Sequence, residues 1–376
     1  MQVPLTVVQI LPALDSGGVE RGTLEVGAHL SAYGHRSIVI SAGGRMVNKL
    51  EKQGSEHITW PIGKKSLLTL KRVRQLRQFF EKEKVDIVHV RSRFPAWIAY
   101  LAWKEMNPKT RPAFVTTVHG PYSVSPYSEV MTKGERVIVI SEMIREYVTS
   151  QYKAKPEKLR LVYRGVDAND FPYGFQPDKA WLKEWYHAYP QTKDKKLLVL
   201  PARITKWKGQ ADFIELAAQL KKHKIHFHAL IVGEAKKGKT NFLKQLEKKA
   251  QSLGVSDQVT FVGHRDDLRE IMAIANIVYS FSLEPEAFGR TTIEALSLGV
   301  PVIGYAHGGV SEQLAALLPE GRIDIGNVAE AATLTLRWLH QPPVVANNQD
   351  FSLDNMLQKT MDVYQELAQA RQRGAY

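Results

Sequence analysis

Short apolar segments alternate with amphipathic segments along most of this chain, and that alternation restricts the fold more than any other feature. Residues 5–11, 37–41 and 58–62 have the composition of strands, and residues 20–32 have helical spacing. A second series of the same kind begins at residues 196–200. Strands separated by helices pair in parallel, because each helix carries the chain back along the sheet. The sequence therefore predicts an α/β protein with parallel sheets.

The chain is too long for one ordinary hydrophobic core, since it has 376 residues. We expect one domain at residues 1–172, a second at residues 173–351, and a last helix at residues 352–376 that crosses back to the first domain. Residues 171–196 contain prolines, glycines and aromatics without a strand pattern, and we interpret them as the connection between the domains.

Several classes of protein are disfavoured by what the chain lacks. It has no cysteine, which excludes disulfides, thiol nucleophiles and zinc sites with cysteine ligands. Residues 1–14 have no basic region before the apolar one, and resemble a first strand more than a secretory signal. The longest apolar run, residues 94–103, is too short to span a bilayer. No Asp-x-Asp triplet and no histidine cluster suggests a metal site. These features predict a cytoplasmic protein that needs no metal.

Positive charge is concentrated in the first half of the chain, where residues 1–180 hold 27 Lys and Arg against 17 Asp and Glu. Residues 64–84 form a basic amphipathic helix with eight Lys and Arg beside two Glu. Such a helix either lies against anionic lipid at the inner face of a membrane, or packs its apolar side on the sheet while its charges stay solvated. Both interpretations remain open. Nucleic-acid binding is disfavoured, because no stacking aromatics interleave with the basic residues. The apolar stripe consists of Leu67, Leu70, Val73, Leu76 and Phe80.

Residues that follow the predicted strands are candidates for binding, because ligands of open α/β sheets lie beyond the carboxyl ends of the strands. The glycine turn at Gly17 and Gly18 either contacts a phosphate or sugar, or is only a tight turn before a helix. His119 either contacts a reacting group or only ties down a loop. The other candidates after strands are Arg91, Arg93 and Tyr122.

Residues 282–312 combine two acids with three glycine turns and a buried strand. Glu286 lies in a loop after a strand, and Glu294 lies eight residues later in a helix, so the two carboxylates sit about two turns apart. The helix N-terminus between them offers free N–H groups and a positive dipole end. The alternative is a surface helix with solvated acids. The residues at the helix N-terminus are Phe288, Gly289 and Arg290.

Two more loops carry motifs for phosphate binding. Arg203 and Lys208 follow the strand at residues 196–200, and cations held there can neutralise a diphosphate without a metal. The segment from Gly233 to Thr240 matches the P-loop pattern G-x-x-x-x-G-K-[ST]. A P-loop enzyme also needs an acid at the end of a neighbouring strand to hold magnesium, and the following strands end without one. We therefore interpret the match as coincidental.

In combination these motifs resemble glycosyltransferase family 4, whose members have the GT-B fold. The resemblance spans nearly the whole chain and rests on Arg203 with Lys208, Glu286 with Glu294, Phe288-Gly289, Gly308-Gly309 with Glu312, and Gly17-Gly18. It implies two Rossmann-like domains with parallel sheets that face a central cleft, the first binding the acceptor and the second the donor. It also implies retaining, metal-independent transfer of a sugar from a nucleotide-sugar.

The resemblance assigns a role to each matched position. Arg203 and Lys208 would grip the donor diphosphate, Glu286 the sugar hydroxyls beside the amides of Phe288 and Gly289, and Glu294 the ribose. Gly17 and Gly18 would meet the phosphates, His119 would lie near the transferred sugar, and Gly263 to Arg265 would flank the nucleobase. Arg91, Arg93 and Tyr122 are then expected on the acceptor side, and Arg290 on the donor side.

Two positions depart from the family pattern. The common Glu-Pro-Phe-Gly is Glu-Ala-Phe-Gly here, and Arg164 stands where an Asn is often found. Further similarity to bacterial members of lipopolysaccharide or envelope polysaccharide synthesis predicts a lipid-linked saccharide as the acceptor. Two rival functions stay open: an ATP-dependent enzyme that uses Gly233 to Thr240, and a non-catalytic protein that binds a nucleotide-sugar.

Overall fold

The computed structural model describes residues 3–15, 17–64, 66–235 and 241–373. The chain divides into two compact units. The first unit comprises Met1–Arg164 together with Asp354–Tyr376, and the second unit comprises Gly165–Leu353.

A parallel sheet forms the centre of the first unit. Within the described ranges it has seven strands in the order β3-β2-β1-β4-β5-β6-β7. The strands are β1 (Thr6–Ile10), β2 (Arg36–Ser41), β3 (Glu56–Thr59), β4 (Ile87–Val90), β5 (Ala113–Val118), β6 (Arg136–Val139) and β7 (Leu159–Leu161). The connecting helices are α1 (Gly18–Ala32), α2 (Val47–Lys52), α3 (Leu67–Lys82), α4 (Arg93–Lys104), α5 (Pro126–Glu129) and α6 (Glu142–Tyr152).

The second unit repeats this architecture. Its sheet has six strands in the described residues, all parallel, in the order β10-β9-β8-β11-β12-β13. They are β8 (Lys196–Pro201), β9 (Phe227–Val232), β10 (Val259–Gly263), β11 (Ile277–Ser280), β12 (Val302–Tyr305) and β13 (Arg322–Ile323). The helices are α7 (Lys179–Ala188), α8 (Gln210–Lys221), α9 (Asn241–Ser252), α10 (Leu268–Ala273), α11 (Arg290–Ser297), α12 (Gly308–Leu317) and α13 (Val328–His340), and α14 (Leu353–Gln372) follows them.

Strands β5 and β9 are buried on both faces. All six residues of β5 and all six of β9 are buried, including the polar Thr116, Thr117 and His228. Strands buried on both faces are typical of parallel sheets, where neither face meets water. The predicted fold class, two Rossmann-like domains with parallel sheets, is confirmed.

Residues 171–196 are more than the plain connection that the sequence suggested. They contain α7, and they belong to the second unit. The rings of Trp181 and Trp185 are stacked with centroids 5.3 Å apart, and Trp185 is buried. The helix was missed because it buries aromatic rings on one short face and lacks the longer apolar stripe that marks the other helices.

Helix α14 packs against the first unit, as predicted. The hydroxyl of Tyr364 lies 2.6 Å from Nδ1 of the buried His89 on β4. The carboxylate of Glu366 accepts hydrogen bonds from Arg136 on β6 and Arg160 on β7, at 2.5 to 3.0 Å. The helix thus ties together strands that lie more than 200 residues earlier in the sequence.

Glu366 is expected to make the stability of the protein pH-dependent. Burial alone would raise its pKa, but the hydrogen bonds from Arg160 and Arg136 outweigh burial and hold the pKa below the ordinary value of 4.5. A carboxylate with a lowered folded-state pKa stabilises the protein above its unfolded-state pKa and loses this contribution as the pH falls. We expect Glu366→Gln to lower the free energy of unfolding by about 1 kcal/mol at pH 7.

Urea unfolding of both proteins at pH 7 and at several values below pH 4.5 tests this. The difference between them should shrink toward the acid end. Glu105→Gln is the matched control, because Glu105 makes one exposed ion pair with Arg77 in the same unit. A Glu366→Gln difference that stays constant with pH would contradict the argument.

The basic helix α3 buries Leu76 and Phe80 within the first unit. Lys71 and Arg74 are exposed on the same helix. Leu76 and Phe80 therefore pack on the protein, whereas the side chains of Leu67 and Leu70 lie outside the part of the chain that the structure describes. Contact of this helix with lipid stays a prediction. Among the described residues, no helix is both long enough and apolar enough to cross a bilayer.

Candidate functional site

The loop after β8 places two cations at the carboxyl end of the sheet in the second unit. Arg203 is exposed, whereas the Lys208 side chain is only 13% exposed. Residues 206–208 form a single 3-10 turn that ends at Gly209, which has a φ of 72°. The Lys208 ammonium also lies 4.2 Å from the centre of the Trp207 ring. The turn therefore fixes Lys208 and leaves Arg203 free to reach outward.

Glu286 is held from both its side chain and its backbone. Its carboxylate oxygen Oε1 lies 2.7 Å from Nζ of Lys208 and accepts a 2.5 Å hydrogen bond from the Ser282 hydroxyl. Its carbonyl oxygen accepts the N–H of Gly309 at 2.8 Å. A Cβ at Gly308 would lie 2.7 Å from that same carbonyl oxygen, so only glycine fits there. The two glycines of the predicted motif thus support the loop that carries Glu286.

Helix α11 begins beside this loop, with its N-terminus capped by Gly289 at a φ of 80°. Nε of Arg290 donates to the Glu294 carboxylate at 2.7 Å, and Glu294 is buried. The Arg290 atom Nη2 is also buried, and no partner contacts it within the described residues. Buried N–H groups are nearly always paired, so this atom is suited to an anionic ligand or a water molecule. Phe288 is 8% exposed, so its ring is buried in the protein.

These side chains line one pocket of about 290 Å³ in the second unit. Five of the residues predicted on the donor side line it, namely Arg203, Lys208, Arg265, Glu286 and Arg290. The other lining residues are Pro201, Ala202, Val232, Gly233, His264, Leu268 and Thr291. Four cations and a single acid among the charged residues make the pocket suited to a ligand with several negative charges.

The loop after β10 is fixed by a hydrogen-bonded group that the sequence did not indicate. Gly263 has a φ of 80°, and Arg265 donates to the Asp267 carboxylate at 2.6 and 2.8 Å. Nε1 of Trp181 on α7 donates to the same carboxylate at 2.8 Å. The hydrogen bond from Arg265 is the main reason why the pKa of Asp267 is lowered, and the same bond raises the pKa of Arg265.

The glycine turn of the first unit forms the N-terminus of α1. Gly17 precedes the helix with a φ of 137°, and no side chain caps the helix there. A Cβ at Gly18 would meet nothing within 4 Å, whereas a Cβ at Gly17 would lie 2.6 Å from Oε2 of Glu20. The turn is therefore open at Gly18, and the Glu20 carboxylate lies beside Gly17. The contact that the sequence predicts there is with a phosphate or sugar. That contact stays a prediction.

His119 follows β5 and is held by a cation. Its Nδ1 lies 2.8 Å from Nη2 of Arg164, and its Nε2 is buried with no partner in the described part of the chain. Burial is the largest cause that lowers the pKa of His119 well below its usual range, and the charges of Arg164, Arg91 and His89 lower it further. The ring is therefore neutral at pH 7, and it acts as a hydrogen-bonding group and not as a proton donor with a pKa near neutrality.

The acceptor-side candidates differ in accessibility. Arg91 is 2% exposed and donates from Nε and Nη2 to Oε1 of the buried Gln9 on β1, at 3.0 and 2.7 Å. In this structure its guanidinium joins β4 to β1, and an acceptor role for it stays a prediction. Arg93 lies with its guanidinium carbon 4.9 Å from the centre of the Tyr122 ring and donates to the Ser128 hydroxyl at 3.1 Å.

Two predictions concern metals and the P-loop motif. Among the described residues, no group of three or more His, Asp and Glu is arranged to hold a metal ion. Residues 236–240 of the P-loop match lie outside the described residues. Gly233, the first residue of the match, has a φ of 151° and packs against the backbone of Ala202. A side chain there would collide with the loop that leads to Arg203, which explains a glycine at this position without a P-loop.

Models of known families match both halves of the chain. Residues 16–170 match the model described as Glycosyltransferase Family 4, and residues 183–351 match the model described as Glycosyl transferases group 1. The second match contains every charged residue that lines the pocket of the second unit. The chain belongs to the glycosyltransferases. Its family 4 domain corresponds to the first unit and its group 1 domain to the second.

Solved structures and curated proteins include similar glycosyltransferases. A glycosyltransferase from Rickettsia africae ESF-5 has a TM-score of 0.84 and is 29% identical, with 97% of this chain and 98% of that chain covered. Anabaena Alr3699/HepE in complex with UDP and glucose has a TM-score of 0.76 at 19% identity, with 96% and 100% covered. This second likeness shows the GT-B fold alone.

The N-acetyl-alpha-D-glucosaminyl L-malate synthase of Bacillus anthracis is 27% identical over 247 residues, which cover 63% of this chain and 61% of that protein. The chain matches about three fifths of the length of the first curated relatives.

Proposed function

We propose that this protein transfers a glycosyl group from a nucleotide-sugar to a lipid-linked saccharide, with retention of configuration and without a metal, in the synthesis of lipopolysaccharide or another envelope polysaccharide. The observation that carries the proposal is the pocket of the second unit, which Arg203, Lys208 and Arg290 line together with Glu286. Cations beside one fixed carboxylate suit a ligand that has a diphosphate next to a sugar, because the first needs positive charge and the second a hydrogen-bond acceptor.

Each residue of the pocket has a role in this proposal. Arg203 and Lys208 bind the diphosphate, and the N-terminus of α11 adds its N–H groups at Gly289. Glu286 accepts hydrogen bonds from sugar hydroxyls, and Glu294 does the same for the ribose. Gly263 and Arg265 are assigned to the nucleobase by the resemblance, and the hydrogen bonds from Arg265 and Trp181 to Asp267 fix the loop that carries them.

Transfer requires that the bond between the anomeric carbon and the diphosphate oxygen breaks while the acceptor hydroxyl forms a new bond to the same carbon. The electron pair of the broken bond leaves with the diphosphate, and Lys208 and Arg203 stabilise that developing charge. In a reaction on one face of the sugar, the leaving phosphate oxygen takes the proton of the acceptor hydroxyl. This explains why no separate base is needed. Glu286 is the candidate nucleophile if the reaction instead proceeds by double displacement.

The acceptor is proposed from charge and resemblance. The basic first half of the chain and the exposed Lys71 and Arg74 of α3 favour an acceptor held at an anionic membrane surface, with the protein bound peripherally. A small hydroxy acid is the second candidate, because a 27% identical relative is named for the transfer of N-acetylglucosamine to malate. Arg93, at the start of α4, suits an anionic acceptor of either kind.

A thermal-shift screen against nucleotide-sugars, followed by a transfer assay, tests the function. We expect one nucleotide-sugar to raise the melting temperature, because a ligand that binds only the folded state stabilises it. Transfer of its sugar to a lipid-linked saccharide should persist in EDTA and give a product with the configuration of the donor. L-malate serves as the alternative acceptor.

Other results of these assays would favour one of the alternative functions or contradict the mechanism. Binding of a nucleotide-sugar without transfer to either acceptor would favour a non-catalytic binding protein. Magnesium-dependent ATP hydrolysis that is lost in Lys239→Ala would favour the P-loop enzyme. Transfer that is abolished by EDTA and restored by a divalent metal would contradict the metal-independent mechanism.

A further inference from the structure

The hydrogen bond between Arg164 and His119 determines where the imidazole carries its proton. Nη2 of Arg164 lies 2.8 Å from Nδ1 of His119. A guanidinium only donates hydrogen bonds and keeps its protons at any physiological pH, so Nδ1 must be the acceptor. A neutral ring that accepts at Nδ1 carries its proton on Nε2.

Helix α1 leaves room for the Arg164 guanidinium at one position. Gly22 lies in the first half of α1 and is buried, and a Cβ added to it would collide with Nη1 of Arg164. Its φ is not in the left-handed region, so backbone conformation does not require a glycine there. Glycine in a helix interior costs about 1 kcal/mol relative to alanine. The space for Arg164 is the feature of the structure that accounts for this glycine.

The remaining nitrogen of His119 is a buried donor. Nε2 is covered from solvent, and within the described residues it has no hydrogen-bond partner. Buried polar atoms in folded proteins almost always have a partner, either protein, water or ligand. The groups that face the ring are the cations Arg164 and Arg91, the neutral ring of His89 and the Tyr122 hydroxyl, which accepts the His119 backbone N–H at 3.3 Å. None of them accepts a hydrogen bond from Nε2.

We propose that Arg164 is a positioning residue that locks His119 as the neutral tautomer with its proton on Nε2, so that Nε2 donates a hydrogen bond to an oxygen of the bound sugar. Because Gly22 has no side chain, it leaves the space that the Arg164 guanidinium needs to reach the His119 ring. An Asn at position 164, common in the family that the sequence resembles, would add no positive charge beside the ring. The proposal rests on the proposed function for the identity of the ligand, but its statement about the ring does not.

The state of the ring is measured first, by ¹⁵N-detected NMR of the histidine side chains in the full chain. The His119 signals are assigned by their loss in His119→Gln. In the unmodified protein we expect a neutral ring with the proton on Nε2 from pH 5.5 to pH 8.5. In Arg164→Met we expect a mixture of tautomers and a higher pKa, because a neighbouring cation has been removed.

A double-mutant cycle then tests whether Gly22 acts through Arg164. Gly22→Ala alone should displace the guanidinium and lower kcat/KM for the donor between about threefold and tenfold, and Arg164→Met should do the same. In the Arg164→Met background, Gly22→Ala should change nothing further, because the side chain that it displaces is gone. Circular dichroism and thermal unfolding of each variant show whether it folds, and Gly22→Ala should be at least as stable as the unmodified protein.

Two results would overturn the assignment. One is a His119 ring that is charged, or that carries its proton on Nδ1, at neutral pH. The other is a Gly22→Ala effect of equal size with and without Arg164, which would place the effect in the helix. If the unmodified protein shows no transfer activity with any donor, the proposed function fails, and the NMR tautomer alone decides the role of Arg164.

Discussion

Replacement of Lys208 by methionine is expected to lower the rate of sugar transfer by about two to three orders of magnitude while the protein remains folded. Lys208 is a mostly buried cation of the pocket in the second unit and lies 2.7 Å from Glu286. In the proposed reaction it stabilises charge that develops on the leaving diphosphate, so that its loss affects the transition state more than the bound donor. Methionine keeps the length and apolar stem of the side chain and removes only the charge.

Steady-state kinetics with the donor identified in the thermal-shift screen provide the measurement. The expected pattern is a large fall in kcat with a smaller change in KM. The loss of the ion pair should lower the free energy of unfolding by about 1 to 3 kcal/mol, because the pair is mostly buried and Glu286 loses its cation. Lys206→Met is the matched control, since Lys206 is exposed on the same 3-10 turn and does not line the pocket. Transfer at the unmodified rate in Lys208→Met would refute the assignment of the donor pocket.

The substitution Gly209→Ala is expected to destabilise the second unit by about 3 kcal/mol or more. Gly209 has a φ of 72°, which alanine adopts only with strain. A Cβ there would also collide with the carbonyl oxygen of Phe281, and would lie 2.5 Å from the Phe281 Cβ. The backbone that resists the collision belongs to the segment directly after β11, which cannot move without disturbing the sheet.

Gly254→Ala separates the cost of backbone strain from the cost of the collision with Phe281. Gly254 has a φ of 67°, and a Cβ there would meet nothing within 4 Å. It therefore carries the conformational strain alone, about 1 kcal/mol. Urea unfolding followed by circular dichroism and tryptophan fluorescence gives the two free energies. If both variants lose the same stability, then the chain around Phe281 relaxes, and the close approach of the two loops is not what requires a glycine at position 209.

The sequence was sufficient to predict the fold and the loops that line the pocket of the second unit. Strand and helix periodicity locates β8, β11 and α11, and parallel strands place the residues that follow them at one edge of a sheet. Because Arg203, Lys208 and Glu286 all follow such strands, their presence in one pocket follows from topology. The Gly308-Gly309 motif was recognisable by pattern, and the structure supplies its physical reason, the close approach to the Glu286 backbone.

Pairings between distant positions could not be predicted. Ser282 lies only four residues before Glu286 in the sequence, but the hydrogen bond between their side chains depends on the conformation of the loop. Trp181 and Asp267 are separated by 86 residues, and Arg164 and His119 by 45, with no pattern that links them. Arg91 follows a strand just as Arg203 does, yet its side chain turns inward to Gln9 on the neighbouring strand. Whether an arginine at a strand end faces solvent or the protein depends on the side chain across the sheet.

The path of the chain also affects how this protein is made. The second unit is one continuous segment, whereas the first unit is completed only by α14. During synthesis, the second unit emerges from the ribosome before α14 does, so it can fold while the first seven strands still lack Tyr364 and Glu366. Until then, His89 on β4 and the guanidinium groups of Arg136 and Arg160 have no partner from the helix. A chaperone that recognises incomplete α/β sheets should therefore bind nascent chains that end before residue 353 more strongly than the released protein.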